Sequence, residues 1–516
     1  MKFLKYLKNV YLFKKFCKTK FLDSPKKNKN NLILFEFNSI TDCYIIYSYF
    51  ISHLSKKYDS RVLGFQDLKK ISSLNILRII LMKMNPISKF NIYKSFGVEN
   101  IIYFFSIIKN QKKIIDKKYQ HIIKNTTNKK KFEKLRIKNV LVGDLFYDTY
   151  LKKFSKVTID FNSKEFKDFL YLEISKFYFW EDYINKNVKS IVVSHTVYTL
   201  AVPMRICIKK KIDAFQVSWD SIFRLNNKQY MAHKQHKYYP KVFSKLSNVE
   251  KSNGLKKAKE KLDLRLKGNI GVDMIYSKKS SYGKYQKNKR LLKKSSNLKV
   301  LIASHCFFDS PHSYGYNLFP DFYEWLKFLG KMANQTKYDW YIKTHSDFLP
   351  GSREKIQQFV KKYPKIKLLP ANSSHHQLIR EGISAVLTTY GTIGCEYPLF
   401  NKLVINASVN NPHIAYNFNY HCKSIKDYEI SIKNLHNLIK NFSPNKKQVY
   451  EYYYMHHIHE NENIFYENLM KFKNQHNEYE HLNKWPNQIL KNTKIDETIN
   501  YKIKKFIYGN NYFSKF

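Results

Sequence analysis

The sequence predicts an α/β protein made of two Rossmann-like domains in series, and three observations predict it. Short apolar runs of strand length alternate with helical stretches through 31–246. A polar, Lys-rich stretch with Gly254, Gly268, Gly271 and Gly283 then occupies 247–297 and reads as an inter-domain connection. Beyond it the alternation restarts in 298–425. Buried strands that alternate with helices form a parallel sheet, because parallel neighbours can be joined only by a crossover of helical length. A length of 516 residues, about three times the commonest domain size, suits two such domains with additions.

In chain order, residues 1–30 form a basic amphipathic N-terminal segment and linker. Phe3, Tyr6, Leu7, Val10 and Phe13 recur at helical spacing, while Lys2, Lys5 and Lys8 lie mostly off that stripe. Two readings stand: a helix lying on an anionic membrane surface, and a Lys-rich tail packed on the rest of the protein. Lys5, Lys8, Lys14 and Lys15 interrupt any signal-peptide core, so the chain is expected in the cytoplasm. Under the first reading it sits peripherally on the inner face of the cell membrane. Strand-like runs follow at 32–37, 140–142, 190–194 and 214–217, with a helical pattern at 44–54. In the second domain they lie at 299–303, 340–343, 365–369, 384–388 and 403–406. Residues 426–516 read as a C-terminal helical region, in which His456, His457 and His459 cluster.

Composition narrows the function classes. Lys and Arg number 92 against 40 Asp and Glu, a net charge of +52, which calls for a polyanion: nucleic acid, anionic lipid or a phosphorylated substrate. Lys far exceeds Arg, however, and Tyr (41) and Phe (38) are abundant while Gly is only 14, the signature of AT-rich coding. A nucleic-acid binder gathers Arg and stacking aromatics on one face, and here Lys is spread along the whole chain, so no nucleic-acid partner is expected. The six cysteines are scattered without a C-x-x-C pair, which argues against a disulfide framework and a zinc site. The apolar run at 101–108 is too short to span a membrane.

The most informative stretch is Thr388-Thr389-Tyr390-Gly391-Thr392-Ile393-Gly394-Cys395-Glu396. An apolar strand runs into a Gly-Thr-x-Gly turn and then a helix, a geometry that aims amides and the helix dipole at a phosphate. Thr389 and Thr392 add hydroxyls, and Glu396 is placed to accept hydrogen bonds from a ribose. The alternative is a turn that needs glycine for steric reasons. Neither G-x-G-x-x-G nor a P-loop is present. Lys343 and His345 follow a second strand, and His305, Asp309 and His312 follow a third. Ligands of open parallel sheets bind beyond the carboxyl ends of strands, so the three ends together make a site. His375, His376 and the 456–459 cluster lack metal-ligand spacing and read as exposed.

These residues carry a resemblance. Lys343-Thr344-His345, Leu368-Leu369-Pro370, Gln377-Leu378-Ile379 and Gly391-Thr392-Ile393-Gly394-Cys395-Glu396 resemble the GT-B glycosyltransferases of the bacterial capsule polysaccharide biosynthesis family, which includes capsular Kdo transferases. The family pattern of K-x-H-P, D-L-I, G-T-x-G-x-E and G-x-P-V is matched at Lys343, His345, Gly391, Thr392, Gly394 and Glu396. It is departed from at Ser346, Gln377 and Asn401-Lys402-Leu403-Val404, and Pro398 should shorten the helix. The resemblance implies two domains whose sheets face a central cleft, and a sugar moved from a nucleotide-activated donor to a growing surface glycan of capsular or lipopolysaccharide type. Lys343 and the Gly391–Gly394 turn would meet the donor phosphate, Leu369 and Pro370 the base, and Glu396 the ribose. Asn38, Ser39, Asp144, Ser194, His195 and Asp220 would face the glycan or glycolipid acceptor. Asp309, His305 and His345 are the catalytic candidates, with no metal and no resident cofactor beyond the nucleotide-sugar co-substrate. Rival readings are a UDP-sugar 2-epimerase, a CDP-polyol phosphotransferase, and a non-catalytic polyanion-binding protein.

Overall fold

The computed structural model describes residues 2–21, 28–67, 73–103, 111–126, 128–273, 279–283, 289–344, 351–459, 480–491 and 493–515. Its strands are β1 (Asn28–Glu36), β2 (Ser60–Gln66), β3 (Val98–Tyr103), β4 (Arg136–Ile137), β5 (Val140–Leu141), β6 (Val188–Val193), β7 (Asp213–Val217) and β8 (Ser221–Leu225) in the first half of the chain. The rest are β9 (Lys299–Ala303), β10 (Asp339–Lys343), β11 (Ile366–Leu368), β12 (Ile383–Thr388), β13 (Leu403–Asn406), β14 (Tyr420–His421) and β15 (Phe513–Lys515).

Two Rossmann-like sheets result. The second has six parallel strands in the order β11-β10-β9-β12-β13-β14. This is a doubly wound order, and the chain changes direction across the sheet between β9 and β12. Both faces are buried. Val300 and Ile302 pack with Trp325, Leu326 and Leu329, while on the other face Leu301, Val386 and Val404 lie side by side in a cluster with Leu378 and Tyr397. That double burial is why these strands are continuous apolar runs.

The first sheet has seven strands, β15-β8-β7-β6-β1-β2-β3. β3, β2, β1, β6 and β7 run parallel, with Leu34 level with Leu63 on one side and Ile191 on the other. Its change of direction lies between β1 and β6. The run at 140–142 is not part of this sheet: it pairs with β4 as a small hairpin, turned by Lys138 and Asn139 at positive φ. Four strands of this sheet, β2, β3, β8 and β15, carried no expectation. Arg61 and Gly64 interrupt the apolar pattern of β2, and Glu99 and Asn100 that of β3.

The N-terminal helix Lys2–Phe21 settles its apolar stripe inside the protein. Val10, Phe13 and Cys17 are fully buried in the first domain's core, and the Tyr6 hydroxyl donates to Ile87 O at 3.0 Å. The membrane reading of residues 1–30 therefore lacks the apolar face it needs. Among the described residues no helix is long and apolar enough to cross a membrane.

Residues 426–516 do not form one helical region. Tyr428, Ile432 and Leu435 pack on the second domain. The helices Glu480–Lys491 and Thr493–Tyr508 return to the first, where Trp485, Ile499, Ile503, Phe506 and Ile507 enter its core and β15 extends its sheet antiparallel to β8. The connection is structured too. Ser247 and Glu250 make a capping box that starts the helix Asn248–Leu266, after which the chain descends over the carboxyl end of the second sheet. A buried interdomain ion cluster adds to the join: His312 Nδ1 lies 2.6 Å from Asp148 and Nε2 lies 3.1 Å from Glu133. These two carboxylates outweigh burial and raise the His312 pKa to about 10.

Candidate functional site

A cavity of about 280 Å³ opens at the carboxyl ends of β9, β10 and β12, where the second sheet changes direction. Ser304, His305, Lys343, Thr344, Tyr390, Gly391 and Thr392 line it from the sheet. Arg265, Asp273, Lys279 and Tyr282 line it from the connection. Lys343 ends β10 and is only 5% exposed. Desolvation lowers its pKa to about 8, with the Glu396 charge opposing. Beside it, the buried Thr344 hydroxyl has no hydrogen-bond partner among the described residues. A buried ammonium and an orphan hydroxyl on one wall are what an oxyanion would complete.

The turn itself differs from expectation. The helix after it is a single turn, Ile393–Glu396, followed by a 3-10 segment Tyr397–Phe400, because Pro398 cannot extend the α-helical hydrogen bonding. One turn supplies no useful dipole, so side chains carry the positive charge here. Gly391 lines the cavity, and its N–H donates to Thr388 Oγ1 at 3.2 Å. Gly394 serves packing instead: a Cβ there would stand 2.5 Å from His413 Cε1. Thr392 lines the cavity, whereas the Thr389 side chain is buried and lines none of it. Leu369 lies in the core with Leu301 and Val386, and Pro370 is exposed, so neither reaches the place expected for a base.

Glu396 also departs from its assignment. Its Oε1 lies 2.9 Å from Arg265 Nε and 2.7 Å from Nη2, and its Oε2 accepts from the Tyr282 hydroxyl at 2.7 Å. Arg265 donates further to Asp273 at 2.5 Å, and the two carboxylates raise its pKa. Buried and fully engaged, Glu396 fastens the connection to the sheet rather than awaiting a ribose. His305 is likewise a fixture of the turn. Its Nε2 accepts from Thr389 N–H at 3.2 Å, and its ring stacks on Phe322 at 4.7 Å. A nitrogen already accepting is a poor base. Asp309 is exposed, with Oδ1 accepting from the first-domain Tyr198 hydroxyl at 2.9 Å. His345 lies outside the described residues.

A second cavity, of about 430 Å³, opens at the carboxyl ends of the first sheet. Ser194, His195, Gln216, Trp219 and Asp220 line it, joined by His233, His456 and Lys515. It shares Asp273 with the first cavity, so the two adjoin there. Glu36, the last residue of β1, accepts from Ser194 N–H at 2.7 Å and from Ser194 Oγ at 2.6 Å. Ser194 Oγ lies 2.7 Å from His195 Nδ1. Burial raises the Glu36 pKa while the serine hydrogen bonds oppose it. Desolvation and Lys152 lower that of His195, which keeps the imidazole neutral at neutral pH. Asp220 accepts from Ser218 at 3.0 Å and Ser221 at 2.9 Å.

Three other acceptor-side expectations resolve differently. Asn38 shapes the turn after β1, bonding Tyr47 and the Ile40 amide, and Ser39 accepts from Lys89 at 3.0 Å. Asp144 is buried in a bidentate pair with Arg205, at 2.5 and 2.7 Å, and lines neither cavity. The histidines read as exposed are built in: His375 bonds Tyr397 at 2.7 Å, His376 bonds Leu266 O at 2.6 Å, and His456 stacks on Tyr452. Glu36, Arg265, Lys279 and Tyr282 carried no expectation. An acid ending an apolar strand was the available signal for Glu36; the connection's polarity hid the others.

No protein-family model matches the chain, and neither does any curated protein. Among solved structures, it is similar to a glycosyltransferase from Rickettsia africae ESF-5 at 12% identity, covering 90% of this chain and 100% of that one with a TM-score of 0.25. A UDP-GlcNAc 2-epimerase from Neisseria meningitidis bound to UDP-GlcNAc gives 13% identity, 89% and 100% coverage and a TM-score of 0.22. The wall teichoic acid polymerase TagF gives 9%, 95% and 98%, and 0.21. Alignments at such TM-scores carry no argument about activity, and the fold is read from the two sheets.

Proposed function

We propose that this chain is a glycosyltransferase, moving a sugar from a nucleotide-activated donor in the second-domain cavity to a glycan acceptor in the first-domain cavity. The observation that carries the reading is the junction of two unlike cavities at Asp273, each at the carboxyl end of one sheet. Lys343, Lys279 and Arg265 give the second-domain cavity its cations, which suit a leaving phosphate. The first-domain cavity offers Trp219 for an apolar sugar face and Asp220 and Gln216 for hydroxyls.

In this reading His195 handles the proton. With Ser194 Oγ–H donated to Glu36, the fitting imidazole tautomer donates Nδ1–H to Ser194 Oγ. His195 Nε2 then accepts the proton of the acceptor hydroxyl as that oxygen attacks the sugar carbon and the phosphate departs toward Lys343. A growing surface glycan of capsular type is the acceptor this reading expects. The test is a panel of CMP-, UDP-, GDP- and CDP-sugars: one nucleotide should raise the melting temperature and oligonucleotides should not. Product analysis should then give a glycosidic linkage. A free epimer or a phosphodiester as the product overturns the reading.

A further inference from the structure

The helix Ser73–Met84, between β2 and β3, leaves its apolar side chains in solvent. Leu74, Ile76, Leu77, Ile80, Leu81 and Met84 range from 45% exposed at Ile76 to 73% at Met84, and no described side chain of this helix is buried. Single exposed apolar residues are ordinary, but several on one short helix make a contiguous patch of the kind that marks an interaction surface. Leu74, Leu77, Leu81 and Met84 recur at three- and four-residue spacing and form one stripe. The opposite side of the helix touches the protein through Ile79 and Met82, which pack on the first domain's core, and the Lys83 carbonyl accepts from Asn91 at 2.9 Å. The helix is therefore seated with its stripe turned outward.

The charges around the stripe name its partner. No Asp or Glu occurs between Asp67 and Glu99, and none in residues 1–22. Arg78 and Lys83 are exposed on the helix itself. The N-terminal helix packs on the segment that follows Met84, tied to the connecting loop by Tyr6 Oη to Ile87 O at 3.0 Å and Lys14 Nζ to Pro86 O at 2.5 Å. That helix turns Lys5, Lys8, Lys15 and Lys18 to solvent. We propose that the Ser73–Met84 face docks on an anionic lipid bilayer, its apolar stripe entering the headgroup boundary and the flanking cations meeting lipid phosphates. A second copy of the chain would bring the same cations against one another, which disfavours self-association through this face. Five residues beyond Met84, Lys89 begins the next helix and donates to Ser39, just past the end of β1. The docked face thus borders the acceptor side of the cleft.

Sedimentation of the full chain with unilamellar vesicles tests this independently of any reaction. Wild type should partition onto phosphatidylglycerol-containing vesicles and much less onto pure phosphatidylcholine, with binding weakened by salt. The Leu77→Ser/Leu81→Ser variant should partition about tenfold less or worse while keeping the wild-type melting temperature, since both side chains are already in solvent. Lys5→Gln/Lys8→Gln should give a smaller loss that high salt erases. Equal vesicle binding by Leu77→Ser/Leu81→Ser overturns the proposal. So does equal binding of wild type to both lipids, and so does a lipid-free dimer that the double variant converts to monomer without wild type binding vesicles.

Discussion

The two cavities occupy the same topological position in the two sheets and hold opposite chemistries. In the first sheet the ends of β1 and β6 bring Glu36, Ser194 and His195 together, an acid and an imidazole joined through a hydroxyl. In the second the ends of β9, β10 and β12 bring Lys343 and the orphan Thr344 hydroxyl beside Arg265 and Lys279. Strand order fixes where a ligand can sit, and the few residues just past each strand fix what it can be. Under the proposed function the first cavity would supply the proton acceptor and the second the cation that receives the departing phosphate.

The largest effect expected of this contrast is at His195. His195→Ala should lower kcat for transfer by about 10²–10⁴ while the nucleotide dissociation constant stays at its wild-type value, because the imidazole faces only the acceptor cavity. A parallel loss of nucleotide binding would break the comparison. Next comes Lys343→Ala, which removes a charge-assisted contact worth about 1.5–3 kcal/mol and should weaken nucleotide binding about ten- to a hundredfold. Nucleoside binding, measured in the same titration, should not change. Gly394→Ala sharpens the distinction between site and scaffold. Its Cβ meets His413 and Asn419 rather than ligand, so the melting temperature should fall, by about 1–3 kcal/mol in stability, and the folded protein should bind nucleotide normally.

The second domain was far more legible in the sequence than the first. β9, β10, β12 and β13 were readable because both faces of that sheet are buried and their central residues are apolar, while the edge strand β11 keeps only Ile366 and Leu368 around an exposed Lys367. β3 is the edge strand of its sheet and exposes Glu99 and Asn100, while Arg61 and Gly64 break the apolar run of β2 beside it, so the mixed composition of both resembles loop. The cavity at the Gly391 turn was legible for a related reason, since a strand that stops at glycine leaves backbone near a ligand. Glu396 was not. A sequence shows that a carboxylate lies near the site but not that Arg265, far upstream, reaches across to take both its charge and its space. The cavity-lining residues of the connection, Arg265, Asp273, Lys279 and Tyr282, were hidden on the same ground, because polar residues that clamp a cavity look identical to polar residues that face water.

The smallest expected effect concerns how Lys343 answers to pH. In the empty cavity desolvation lowers its pKa to about 8 from the ordinary lysine value, so near that pH the ammonium and amine are equally populated. A bound phosphate favours the ammonium and lifts the pKa in the complex, which means that binding takes up a proton once the free protein has begun to lose it. Affinity must then fall as pH rises. Between about pH 7 and about pH 8 the protonated fraction of the free protein drops by roughly half, so nucleotide affinity should fall about twofold and continue downward above that. The diphosphate of an intact nucleotide-sugar carries no terminal monoester and is fully ionised in this range, so titrations with that ligand take no slope from the phosphate. Lys343→Ala should bind weakly and flatly across it, and a nucleoside should bind flatly to wild type. His195 titrates on the acidic side and faces the other cavity, so it cannot supply this slope. A pH-independent nucleotide affinity in wild type would show that the cation meeting the phosphate is Arg265 or Lys279 rather than Lys343, and would move the leaving-group contact from the end of β10 to the connection.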